Sequence, residues 1–384
     1  MSVTFAKGFR AAGVTAGLKA SGKPDVALVV NDGPTFASAG VFTSNRIQAA
    51  PVQWTQQAAK SSAFKAVILN SGGANACTGP EGFADTHHTA EHVASLLGIG
   101  AIEVAVCSTG LIGKRLPMDL LIPGVSQAHA QLHSDGGQSA ATAIMTTDSV
   151  SKTAHFESAA GWRVGGMAKG AGMLAPGLAT MLVVITTDAD VDSALLDVTL
   201  RAATNTTFDR IDSDGCMSTN DTVLLLASGA SAITPEAAEF AAAVHAVSAD
   251  LARQLIGDAE GATKDIKIVV SGAASERDAV DVARTVSRSN LLKCAIHGED
   301  PNWGRVLSAL GTTQAEFSAD AIDVSFNGVP VCRNGSALPE EPVVDLSTRE
   351  VVIDINLHAG NLEATLWTND LTAMYVHENS AYST

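Results

Sequence analysis

What most constrains this chain is an alternation of two kinds of segment. Short runs rich in Val, Ile and Leu, each the length of a buried strand, are separated by Ala-rich stretches with helical spacing. The runs fall at Val26 to Val30, Ala66 to Leu69, Val104 to Cys107, Met181 to Ile185, Val223 to Leu226 and Ile266 to Val270. The helical stretches are Asp85 to Leu97, Ser193 to Thr204, Pro235 to Ile256 and Glu276 to Ser287. Asn290 to Gly311 joins an apolar stretch to a helix, and beyond Ala321 strands dominate, at Val351 to Leu357 and Leu362 to Thr368. The pattern predicts an α/β fold with a strand-rich C-terminal part.

At 384 residues the chain exceeds the usual ~150 per domain, so one large mixed domain or two smaller ones are expected, although no flexible linker can be placed. Forty acidic against twenty-four basic residues leave a net charge of -16, a field that repels phosphate backbones and anionic lipid surfaces. Neither a nucleic-acid partner nor a membrane is expected, and no apolar run approaches the ~18 residues that would span a bilayer. Lys19 and Lys23 interrupt the N-terminal stretch before any signal-peptide core develops. Cys77, Cys107, Cys216, Cys294 and Cys332 are odd in number and scattered, suggesting neither a disulfide framework nor a thiolate metal site. A cytoplasmic location fits this usage.

Small-residue clusters at Ser71 to Gly79, Ser108 to Gly113 and Gly165 to Gly177 read as loops that turn sharply or approach something closely. Phosphate-loop, zinc-protease, nucleophile-elbow and dinucleotide signatures are absent. His88 and His92 stand four apart, but with no third ligand in register they read as an exposed helix face rather than a metal site. In Gly165 to Leu182 a glycine-rich loop with a single lysine, Lys169, runs through Ala179 into Thr180 at the start of a buried run. On pattern alone Thr180 is a β-branched residue opening a strand, and Ser108-Thr109-Gly110 is a loop.

Several ordered blocks carry more. Lys169-Gly170-Ala171-Gly172-Met173 with Ala179-Thr180-Met181-Leu182, then Cys107-Ser108-Thr109-Gly110, Met145-Thr146-Thr147-Asp148, Ser218-Thr219-Asn220-Asp221-Thr222, Asp300 to Arg305 and the terminal Asn379 to Thr384 together resemble the glutamate N-acetyltransferases, or ornithine acetyltransferases, of arginine biosynthesis. The resemblance covers essentially the whole chain. It implies a two-sheet sandwich flanked by helices, of the self-processing N-terminal-nucleophile kind. It also implies a precursor that cuts itself between Ala179 and Thr180. Residues 1–179 then form an α chain, residues 180–384 a β chain that begins with the nucleophile, and two cleaved protomers an α2β2 assembly.

The chemistry accounts for such a cut. A threonine hydroxyl is a weak nucleophile without an adjacent base. Cleavage turns the amide nitrogen of Thr180 into an α-amine of pKa ~7.7–8.0, able to take the hydroxyl proton directly or through water. Acetyl transfer from N2-acetyl-L-ornithine to L-glutamate through acetyl-Thr180 follows, in ping-pong order, with no metal or organic cofactor and with acetyl-CoA left open as a co-substrate.

By the same resemblance Thr109 and Gly110 form the oxyanion site. Thr146, Lys169, Thr180, Glu260, Asn379 and Thr384 contact substrate, with the Thr147 hydroxyl an alternative to that of Thr146. Lys169, on the mobile loop, would meet an α-carboxylate; Glu260, at the end of the helix from Pro235, would meet an ammonium, while Asp258 beside it reads as a solvated acid. Gly73 and Gly177 depart from the family pattern at positions taken to lie away from the chemistry. Ser218 to Asp221 and Asp300 to Arg305 are read as polar turns without a catalytic role. Two rivals remain: a self-processing hydrolase of the aminopeptidase type using the same Thr180, and an uncut amino-acid-binding protein.

Overall fold

The computed structural model describes residues 1–175 and 181–381, which divide into two compact units: residues 1–209 with 216–258, and residues 210–215 with 259–381.

The first unit contains strands β1 (Phe9–Val14), β2 (Val26–Asn31), β3 (Ser38–Phe42), β4 (Ala66–Asn70), β5 (Val104–Ser108), β6 (Lys152–Glu157), β7 (Arg163–Lys169), β8 (Leu182–Thr187) and β9 (Thr222–Ala227). Its helices are α1 (Ala50–Ala58), α2 (Gly79–Leu97), α3 (Met118–Ala130), α4 (Gly137–Ala143), α5 (Ser193–Thr206) and α6 (Ala237–Gly257). The strands make two sheets, ordered β1-β2-β4-β5 and β3-β9-β8-β7-β6. Strand β8 is antiparallel to β7 and parallel to β9.

Alternation along the strands settles how the layers stack. Ala27 and Val29 of β2, Val67 and Leu69 of β4, and Ala105 and Cys107 of β5 share one core with Leu182 and Val184 of β8 and Leu224 and Leu226 of β9. The intervening residues of the first sheet, among them Leu28, Ile68 and Val106, pack instead against α2 and α3. Helix α6 lies on β6 and β7, and α5 on β3. The result is the helix-flanked two-sheet sandwich that the resemblance implies, and it explains why the strand runs are apolar on both faces.

The second unit contains β10 (Asp265–Ala273), β11 (Asp323–Phe326), β12 (Val329–Arg333), β13 (Ser336–Ala337), β14 (Glu350–Asn356) and β15 (Leu362–Asn369), with α7 (Glu276–Ser287), α8 (Asn290–His297), α9 (Trp303–Leu310) and α10 (Ala373–Ala381). Its sheet runs β13-β12-β11-β14-β10-β15, and its core joins those strands to Val282 and Val286 of α7, Ile296 of α8 and Val306 of α9. The strand-rich C-terminal part is this sheet.

One expectation is corrected here. Gly165 to Lys169 is no loop but the body of β7, paired with β6 and β8. Its glycines permit close packing rather than turning: a side chain at Gly165 would run into the Ser2 carbonyl, and a Cβ at Gly166 would lie 3.0 Å from Leu251 of α6.

Candidate active site

Strand β5 delivers Thr109 and Gly110 to a tightly braced turn. The Thr109 N–H donates to Asn70 O at 3.0 Å, and the Gly73 N–H donates to Thr109 O at 3.0 Å. The preceding residue is held as firmly, because Asn220 Nδ2 donates to Ser108 O at 2.8 Å and to Ala74 O at 2.6 Å. Gly110 has φ +128°, and a Cβ there would lie 2.8 Å from Gly73 N, so only glycine fits. Among the described residues no hydrogen bond takes the Gly110 N–H. Gly73, expected to stand apart from the chemistry, therefore touches both Thr109 and Gly110.

Lys169 is the last residue of β7 and is 1% exposed, not a residue of a mobile loop; strand pairing with Leu182 of β8 puts it inside. Its Nζ lies 3.2 Å from Thr109 Oγ1. An ammonium only donates, so the Thr109 hydroxyl accepts from Lys169 and keeps its own proton for another acceptor. The geometry thus supplies a hydroxyl with a fixed role and a backbone N–H side by side, the two donors a developing oxyanion needs.

A buried ion network stands behind this pair. Lys152, wholly buried, bonds Asp148 Oδ1 and Asp258 Oδ2, each at 2.6 Å. Asp148 also accepts the Gly170 N–H at 2.7 Å and the Thr146 N–H at 2.9 Å. Burial disfavours its charge, but Lys169, Lys152 and the Gly170 amide outweigh burial and pull the carboxyl down to about 2. Asp258 is accordingly no solvated acid: besides Lys152 it accepts the Ser149 N–H at 3.0 Å and the Ser149 hydroxyl. Lys19 donates to Met145 O at 2.6 Å and to Pro24 O at 2.8 Å, and burial lowers its pKa to about 8. Through Asp148 the Thr146 amide is tied to the network, and Thr146 and Thr147 are both half-buried.

Asp221, placed by sequence in a bracing turn, is fully buried just before β9, and its Oδ1 accepts the Met181 N–H at 3.1 Å. In the second unit Asn379 of α10 donates through Nδ2 to Glu260 Oε2 at 3.0 Å. Glu260 lies three residues beyond α6, not at its end, because the helix stops at Gly257. These two expected substrate contacts are thus brought together. Ala179, Thr180 and Thr384 lie outside the described residues. Asn302 caps α9 by accepting the Arg305 N–H at 3.2 Å, which accounts structurally for the Asp300 to Arg305 block. His92 Nε2 lies 2.7 Å from Ser126 Oγ, and among the described residues no three His, Cys, Asp or Glu side chains gather as metal ligands.

Lys19, Asp148 and Lys152 were given no role at the site from sequence, and Asp258 was read there as solvated. Asp148 closes the Met145-Thr146-Thr147-Asp148 block and could have been found there. Lys152 opens an unremarkable alternating strand, and nothing local marks a lysine whose partner is 106 positions away.

Comparison with known proteins places these features. Residues 10–384 match the model of the ArgJ family. An arginine biosynthesis bifunctional protein ArgJ from Streptomyces coelicolor is 66% identical over 383 residues, covering 100% of both chains. One from Mycobacterium leprae is 56% identical over 388 residues, covering 99% of this chain and 95% of the other. A crystal structure of ornithine acetyltransferase complexed with ornithine, from Mycobacterium tuberculosis, is 60% identical over 47% of this chain and 96% of that one, with a TM-score of 0.46. With the family match running from residue 10 through β5, β7 and the buried ion network to residue 384, the chain belongs to the ArgJ family.

Proposed function

We propose that the chain carries an acetyl group on Thr180 from N2-acetyl-L-ornithine to L-glutamate, after cutting itself between Ala179 and Thr180. As a member of the ArgJ family it is an acyltransferase of arginine biosynthesis. The observation that carries the finer reading is the Lys169–Thr109–Gly110 arrangement: a buried hydroxyl held by a lysine, beside a half-buried backbone N–H, is suited to an acyl carbonyl.

In this scheme Thr180 Oγ1 attacks the acetyl carbonyl while the α-amine of the same residue takes its proton. Charge gathers on the carbonyl oxygen, where the Thr109 hydroxyl and Gly110 N–H each contribute roughly 3 kcal/mol of transition-state stabilisation. Ornithine leaves, its amine taking the proton. Glutamate then attacks acetyl-Thr180 by the reverse sequence, and acetyl-CoA is a second source of the same acetyl group. Glu260 and Asn379 contact the amino-acid end of the substrate, joined by Thr146 and the terminal Thr384. The steps call on no metal or organic cofactor, and the cleaved α and β chains assemble as α2β2 in the cytoplasm.

The test is intact-mass analysis after brief incubation with acetylornithine. An acetyl adduct on the chain beginning at Thr180, discharged by glutamate faster than by water, supports transfer. Discharge by water at an equal rate makes the protein a hydrolase, and a single uncut chain without adduct overturns the proposal.

A further inference from the structure

We propose that Thr372 is a positioning residue for substrate recognition, one that holds Asn379 against Glu260; the inference rests on the substrate contacts proposed above for that pair. Glu260 stands on the short segment that leads into β10, in a turn where the Ala262 N–H donates to Ala259 O at 3.1 Å. Asn379 stands on α10, a helix of nine residues none of which is buried. A helix so short is marginal in water by itself, and no buried apolar stripe seats this one. Polar ties therefore decide where Asn379 lies.

Those ties close on themselves. The Thr372 hydroxyl, buried at the start of α10, donates to Gly261 O at 2.7 Å and accepts the Tyr375 N–H at 3.0 Å. A hydroxyl has one proton and two lone pairs, so it can do both. It thereby caps the first turn of α10 and fastens that turn to the residue after Glu260. Thr372 and Asn379 are about two helical turns apart, which puts them on one face of the helix. There Asn379 Nδ2 donates to Tyr375 O and to Glu260 Oε2, each at 3.0 Å. The path from Glu260 through Gly261, Thr372, Tyr375 and Asn379 thus returns to Glu260. Gly261 has φ +64°, and a Cβ there would run into Tyr375 N, so the helix comes this close only over a glycine.

Asp370 fixes the far end of the same segment. Its Oδ1 accepts the Thr263 and Lys264 N–H groups, each at 2.9 Å, and its Oδ2 lies 2.8 Å from His297 Nδ1. Loss of the Thr372 hydroxyl should therefore release α10 and Asn379 while the entry to β10 stays anchored. A recognition pair held in place beforehand need not be ordered when substrate arrives, and binding is tighter by the ordering saved. Contacts of this kind are made equally in the ground and transition states, so they act on KM and leave kcat alone.

Thr372→Val removes the hydroxyl and nearly keeps the shape. With glutamate saturating and folding checked by thermal melting, KM for acetylornithine should rise about 10-fold, the scale of a lost helix cap, with kcat and self-cleavage close to wild type. Thr372→Ser keeps the hydroxyl and should restore KM. In an Asn379→Ala background Thr372→Val should add nothing, because the side chain it positions is gone, whereas general destabilisation would add its own loss. A folded Thr372→Val enzyme with wild-type KM, or one whose loss persists in full in that background, overturns the proposal. Should Thr372→Val not fold, Gly261→Ala takes its place, since it pushes Tyr375 away with Thr372 intact: a raised KM that Asn379→Ala absorbs supports the proposal, and an unchanged KM refutes it. A wild-type enzyme that transfers no acetyl group defeats the function proposed above and this inference with it. An active wild type matched in KM by Thr372→Val defeats this inference alone.

Discussion

Lys169 Nζ and Thr109 Oγ1, 3.2 Å apart and both buried, form a donor-only group facing a hydroxyl that must therefore accept. The lysine thus acts on the hydroxyl's orientation as well as on charge. Thr109→Val should lower kcat by about 100-fold with little change in KM. Lys169→Met should also lower kcat, because the Thr109 proton is no longer directed outward. Steady-state kinetics on acetylornithine decide between this and simple carboxylate binding, which would show as KM alone.

Gly110→Ala places a Cβ against Gly73 N in a backbone region that disfavours it. The turn must shift, at about 1–3 kcal/mol. The variant should melt earlier and lose acyl transfer even where it remains folded, as read by calorimetry and acetyl-adduct formation.

The two buried acids predict opposite pH behaviour. Asp148 is held down at about 2, so it contributes stability above its ordinary 3.8 that is lost as pH falls through about 2. Asp148→Asn should flatten that acid limb and cost roughly 3–5 kcal/mol at neutral pH, since it breaks a buried pair. Asp221 is raised, so the folded state keeps a proton that the unfolded chain has released; its contribution is complete below 3.8 and declines as pH rises above it. Asp221→Asn should lose less stability than the wild type between acidic and neutral pH. Urea titrations across that range check both signs.

Asn379 Nδ2 bonds Glu260 Oε2, so the two should act together on substrate. Glu260→Gln and removal of residues 379–384 should each raise KM strongly and leave self-cleavage intact, with the combined variant no worse than the poorer single one. Additive losses would show that they act separately.

Legibility in the sequence followed locality. Helix α7 was readable to its ends because Ser275 caps it through the Asp278 N–H and its apolar spacing is regular. The apolar runs became β2, β4, β5, β8 and β9 because each is buried on both faces. Strand β7 was hidden because its glycines answer to Ser2 and α6, which are distant in sequence. Helix α3 was hidden by Pro123 and Gly124 in its interior. At the candidate site, Thr109, Gly110 and Lys169 stood out through family blocks, while the tie from Lys152 to Asp258 and the burial of Asp221 depend on long-range packing that no local pattern announces.

The strand order β3-β9-β8-β7-β6 bears on the fate of a chain severed before β8. Strands β8 and β9 would belong to one fragment and be flanked on each side by β3 and β7 of the other, stitched along both margins by backbone bonds. The nick would relieve a covalent tie without opening a seam. Separating the fragments would require dismantling the whole layer, so they should co-purify under any condition short of denaturation, and neither should survive alone.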